Sequence, residues 1–205
     1  MPGRNIVKQY VSEHYYHIYT RGVAKQAIFL DDQDYGYFLG LLKRYLSNKP
    51  ALSTARVVYP WYGNRVDLVS YCLMPNHTHL LIFQHDERAI MELMRSLMTS
   101  YSMYFNLRYR RVGPVFQSRY RASIIDHQNY LEHISRYIHL NPDNWQTYEY
   151  SSLLYYSGHK TAEWLKPKTI LDLFDDSFKS YKLFLSDYQS HKKMLEEMKW
   201  ELAND

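Results

Sequence analysis

One cysteine in 205 residues, Cys72, leaves no room for an internal disulfide framework or for a zinc ribbon built on several thiolates. Only 7 glycines and 7 prolines exclude a collagen-like or low-complexity chain. Long apolar runs are missing too. The richest stretch, 67–84, is broken by Pro75, Asn76, His77 and His79, and the N-terminus lacks a continuous apolar signal core. The expectation is a chain without membrane contact in a reducing, cytoplasmic compartment. Acidic residues are absent between Glu92 and Asp126, while Arg95, Arg108, Arg110, Arg111, Arg119 and Arg121 fall inside, so this stretch carries +6 in a chain of net charge +4. Arginine forks suit phosphate and base contacts, and Tyr109, Phe116 and Tyr120 are interleaved with them. A merely solvated basic face is the plainer alternative.

What is present is enough for a folded core: 46% of residues are hydrophobic against 22% charged. With 22 tyrosines, no tyrosine can be singled out by rarity; position and neighbours must select it. Aromatic and β-branched residues from Glu13 to Arg21 predict a first strand ending at Gly22. Asp31 and Asp32 offer N-cap chemistry to an amphipathic helix over 33–47. Val66 to Leu73 and His77 to Phe83 read as two strands joined by a turn at Pro75 and Asn76. A long helix spans 87–107 until Gly113 and Pro114 break it, a fourth strand runs from Arg119 to Ile125, and Asp126 caps a helix from His127 to Leu140, before Pro142. The order β, α, β, β, α, β, α predicts an α+β fold: a ferredoxin-like sandwich with a four-stranded antiparallel sheet and helices on one face. That core is expected over 1–142. Residues 143–205, where 11 acids outnumber 8 bases, are expected as a helical extension packing on or beside it, with weak helical patterns at 169–189 and 190–202.

Two constellations carry chemistry. His77 and His79 are two apart on a strand, so they share a face and can reach one metal ion. In the last core helix His133, Tyr137 and Asn141 recur every four residues, with Ile134 and Ile138 alongside. A carboxamide oxygen one turn beyond a tyrosine can complete a shell begun by two histidines while the phenol sits beside the ion. Taken singly, the pair could be surface histidines and the stripe a core tyrosine with an Asn helix stop.

Together these residues resemble the single-tyrosine HUH endonucleases, and within them the IS200-like and REP-associated tyrosine transposases. The resemblance is carried by 16–22 (YHIYTRG), 74–81 (MPNHTHLL), 113–120 (GPVFQSRY) and 137–142 (YIHLNP), in matching order over about residues 13–156. Tyr150-Ser151-Ser152 and Glu163-Trp164-Leu165 extend it into the tail. Thr78 stands where the motif usually has a bulky hydrophobe, and Phe116 where many relatives have Trp.

The resemblance implies a metal-dependent single-stranded DNA endonuclease and strand transferase acting near hairpins. Tyr137 would be the nucleophile, leaving a 5′-phosphotyrosine and a free 3′-OH. His77, His79 and Asn141 would hold Mg²⁺ or Mn²⁺, and by ligand softness Mn²⁺ should bind more tightly. Arg108, Arg110, Arg111, Arg119 and Arg121 would contact the phosphates of single-stranded, hairpin-bearing DNA. The working unit would be a monomer or a homodimer. The alternative is a non-catalytic single-stranded DNA or hairpin-binding module of the same fold, using Tyr137 only for stacking. A phosphodiesterase that activates water would form no covalent adduct.

Overall fold

The computed structural model describes residues 10–125 and 128–187. Its core is β1 (His14–Arg21), α1 (Asp32–Leu46), β2 (Val66–Met74), β3 (His77–Gln84), α2 (Ala89–Tyr109), β4 (Arg121–Ile125) and α3 (Gln128–His139). Three short helices follow: α4 (Leu153–Tyr156), α5 (Lys168–Leu171) and α6 (Phe178–Ser186). The sheet order is β2-β3-β1-β4, with every neighbouring pair antiparallel, as expected of a ferredoxin-like α+β sandwich. The proposed cap Asp126 and the helical pattern at 190–202 lie outside the described residues. Among the described residues no helix is long and apolar enough to cross a membrane.

Strand alternation decides what each helix covers. Tyr16 and Ile18 of β1 and Leu80 and Ile82 of β3 bury against Phe38, Leu42, Leu93 and Leu97 of α1 and α2. The other face is equally apolar at Val69, Cys72, Leu81 and Ile125, and a sheet face of that kind must also be covered. α3 covers it through Leu131, Ile134 and Ile138, and the tail packs there through Leu153, Tyr156, Ile170, Tyr181 and Leu185. The helices therefore divide between both faces, α1 and α2 on one and α3 with the tail helices on the other, in place of one helical face, while Trp164 and Leu165 of the tail join the α1/α2 core.

Within the acid-free stretch Arg108 is committed elsewhere. Its guanidinium forks Asp31 at 2.6 and 2.8 Å and donates to Asp34 at 2.7 Å. Arg108 thus ties the end of α2 to the start of α1, where Asp31 caps Gln33 and Asp34, and it drops out of the set of phosphate contacts. Asp34 is fully buried and also accepts from the Leu30 amide and from the Tyr104 and Tyr109 hydroxyls. Asp34→Ala strands all these donors at once, so a loss of about 3–5 kcal/mol is expected. A shift in the urea midpoint reads it; an unchanged midpoint contradicts the clamp.

Candidate active site

The strand periodicity that buries Thr78 and Leu80 on the α1/α2 side turns His77 and His79 toward α3. β1 contributes His17, Tyr19 and Arg21 to the same face, since Tyr19 pairs with His79 and Arg21 with His77 in the antiparallel register. From the opposite layer α3 presents Tyr137, whose ring lies edge-on to His79 at 5.1 Å and to His17 at 5.8 Å. α3 ends at His139, and Asn141 in the following turn swings its amide between the two histidines. The sequence therefore anticipated the grouping of His77, His79, Tyr137 and Asn141. His133, on the same predicted stripe, is not part of it; its ring lies against Phe184 of α6 at 5.5 Å.

The hydrogen bonds fix where the imidazole lone pairs point. Asn76 donates through its amide nitrogen to the Lys25 carbonyl, so its oxygen faces His77 Nδ1 at 2.6 Å and takes the ring proton there. His77 Nε2 is then a bare acceptor, and it faces the Asn141 Oδ1 at 3.1 Å. Two acceptors at that separation favour a cation between them or a half-turn of the amide. Asn141 Nδ2 donates to His79 Nε2 at 3.3 Å, which leaves the His79 proton on Nδ1 for His17 Nε2 at 3.0 Å. Asn76 and His17 thus orient the two histidines as outer partners orient metal ligands. The donor set fits a divalent cation. Among the described residues no three His, Cys, Asp or Glu side chains are grouped around a metal position, so the site depends on the amide of Asn141.

Burial sets the charge states. It lowers His17 and His77 to about 4 and takes His79 well below the ordinary imidazole range, so all three are neutral at pH 7, as ligation requires. Burial also raises the Tyr137 phenol, with Tyr19 adding to the rise, while the Asn141 amide and the Arg21 guanidinium pull it down. Tyr137 is only 5% exposed and protonated at neutral pH. As a nucleophile it needs positive charge at the group it attacks.

The remaining predicted arginines separate spatially. Arg121 faces the site, opposite Tyr19 in the register, and Arg119 is exposed just before it. Arg110 closes α2 in a left-handed conformation, φ 51°, and Arg111 lies over the Phe105 ring, both on the α1/α2 side of the sheet. Sequence reasoning missed His17, Tyr19, Arg21 and Asn76 as site residues. Three of these share one face of β1, a parity visible in the sequence, but their neighbours are set by the register.

Residues 61–141 match the family model of IS200-like transposases. The matched segment contains every residue assigned above to metal or nucleophile, and the resemblance to this family holds. A solved REP-associated tyrosine transposase bound to a REP hairpin superposes with a TM-score of 0.56 at 12% identity, covering 76% of this chain and 86% of that one. At that identity the likeness is one of fold. A crystal structure of a protein from Deinococcus radiodurans R1 described as a candidate transposase aligns with a TM-score of 0.40 at 16% identity, over 67% of this chain and 95% of that one. No curated protein matches the sequence.

Proposed function

We propose that this IS200-like chain is a metal-dependent endonuclease and strand transferase for single-stranded DNA beside hairpins, working through a covalent 5′-phosphotyrosine at Tyr137. The observation that carries the reading is the convergence of His77 Nε2, His79 Nε2 and the Asn141 amide within ring contact of a buried tyrosine. His77, His79 and Asn141 would hold Mg²⁺ or Mn²⁺, which when bound polarises a phosphate oxygen and neutralises charge on the leaving oxygen. Tyr137 Oη forms the new O–P bond as the P–O3′ bond breaks; the phenol gives up its proton and the 3′ oxygen gains one. The product is a 5′-phosphotyrosine and a 3′-OH, and the reverse step rejoins strands. Arg119 and Arg121, beside the site, and Arg110 and Arg111, on the α1/α2 side of the sheet, are the proposed phosphate contacts. The structural neighbour's REP hairpin supports a hairpin-bearing substrate.

The test is incubation with single-stranded DNA carrying hairpins and Mn²⁺, followed by a denaturing gel. A protein-DNA band that survives denaturation is expected. Cleavage without it would point to a water-using phosphodiesterase, and binding without cleavage to a non-catalytic module. Calorimetric titration with Mn²⁺ isolates the ligands. His77→Ala and His79→Ala should lose measurable binding, whereas Asn141→Ala should weaken it by about tenfold because water can replace an amide oxygen. Wild-type binding in both histidine variants would remove the metal from this reading.

A further inference from the structure

A site that cuts a phosphodiester must hold an anion, and the ligands and tyrosine described above provide no fixed cation for it. Arg21 closes β1 on the face of His17 and Tyr19, directly across the sheet from His77. Its Nε is buried without a hydrogen-bond partner, and among the described residues no carboxylate pairs with its guanidinium. The contrast with other arginines is plain: Arg65 is forked onto Asp86 and reaches Glu92, and Arg108 holds Asp31 and Asp34. A guanidinium without a counter-ion, whose Nε has left water and found no partner, is stabilised when an anion arrives.

The position is also rigid. The Arg21 carbonyl accepts from the Gln117 amide at 2.8 Å, and the next two amides donate to Asn76 and Val115 at 2.9 and 3.0 Å. Gly22 permits the tight turn that follows, because a Cβ there would clash with the Gln26 carbonyl. Arg21's charge reaches the site's other groups: after the burial that dominates each, it pulls His77, His79 and Tyr137 downward.

We propose that Arg21 binds the non-bridging oxygens of the phosphate that Tyr137 attacks, holding it against the phenol and offsetting the charge that builds in the transition state. This rests on the cleavage reading above. Arg21 transfers no proton; it remains a guanidinium while the bond to Tyr137 forms and the bond to the 3′ oxygen breaks.

The experiment compares wild type, Arg21→Gln and Arg21→Lys on one hairpin-bearing single-stranded oligonucleotide. In metal-free buffer, binding across a salt series should show a log–log slope flatter by about 0.7 in Arg21→Gln, one phosphate's worth, and unchanged in Arg21→Lys. With Mn²⁺, single-turnover adduct formation should fall about 100-fold or more in Arg21→Gln, and Arg21→Lys should recover little of it, lacking the fork. Calorimetric Mn²⁺ binding should stay within about twofold of wild type in both variants, since a phosphate ligand is not needed to shape the metal site. A wild-type slope or a wild-type rate in Arg21→Gln overturns the proposal, and so does a collapse of Mn²⁺ binding, which would make Arg21 a structural prop. If wild type forms no adduct, the cleavage reading fails, and the salt slope alone then decides whether Arg21 is a phosphate ligand.

Discussion

Tyr137→Phe should abolish the covalent adduct, by about 1000-fold or more, while leaving DNA binding within a few fold. Removal of a nucleophile's only reacting atom leaves no lesser route to the same intermediate, whereas ring packing against His17 and His79 survives in Phe. A control is needed because a second phenol lies equally close. Tyr19 is 5.0 Å from His79 and 5.7 Å from His77 between ring centroids, and it is 7% exposed. Burial raises its phenol while Arg21 and Arg121 oppose the rise. The choice between the two rests on Asn141, whose amide lowers the Tyr137 phenol and faces both histidines. Tyr19→Phe should therefore keep its adduct. An adduct that persists in Tyr137→Phe and disappears in Tyr19→Phe would move the nucleophile from α3 to β1.

That ambiguity marks how far the sequence could be read. Local periodicity gave His77 and His79 a common face and put Asn141 one turn beyond Tyr137, because both follow from the geometry of one element. Which residues stand beside them depends on strand order. His17 meets His79 through a pairing 62 positions apart, and nothing within β1 announces it. The division of helices between two faces was illegible for a related reason: strands apolar on both sides do not say which helix takes which side. Arg108 shows the limit for charge. Its run of arginines reads as one surface, yet its carboxylate partners lie 74 and 77 positions away. β4 begins two residues later than expected, at Arg121, and Tyr120 just before it is held by the Tyr10 hydroxyl at 2.5 Å. In the tail, weak periodicity over 169–189 resolves into α5 and α6, separated by Asp175 and Asp176 in left-handed conformations.

The buried imidazoles predict a marked loss of stability in mild acid. His17 and His139 are fully buried, and burial lowers them to about 4 and about 3, against about 6.5 in an unfolded chain. Between those limits the unfolded chain binds protons that the folded one refuses, so stability is complete above pH 6.5 and falls as the pH drops through that window. At pH 5 each of the two removes about 2 kcal/mol, about 4 kcal/mol together, and His77 and His79 act in the same direction. Against a typical total of about 5–15 kcal/mol, that brings the metal-free protein close to its unfolding midpoint. Carboxylates do not mimic the effect. Asp86, held at about 2 by Arg65, and Asp31, lowered by Arg108, lose their contributions only below the ordinary carboxylate range, under about pH 4. Urea titrations at pH 7.5, 6.5, 5.75 and 5 measure the slope. His139→Gln keeps hydrogen-bonding atoms for Tyr181 and Ser152 while removing one titrating ring, and should flatten the slope by about 1.4 kcal/mol per pH unit. Wild-type stability that stays level from pH 7.5 to 5 would mean that these imidazoles are hydrated, and the neutral state required of the proposed metal ligands would lose its physical basis with them.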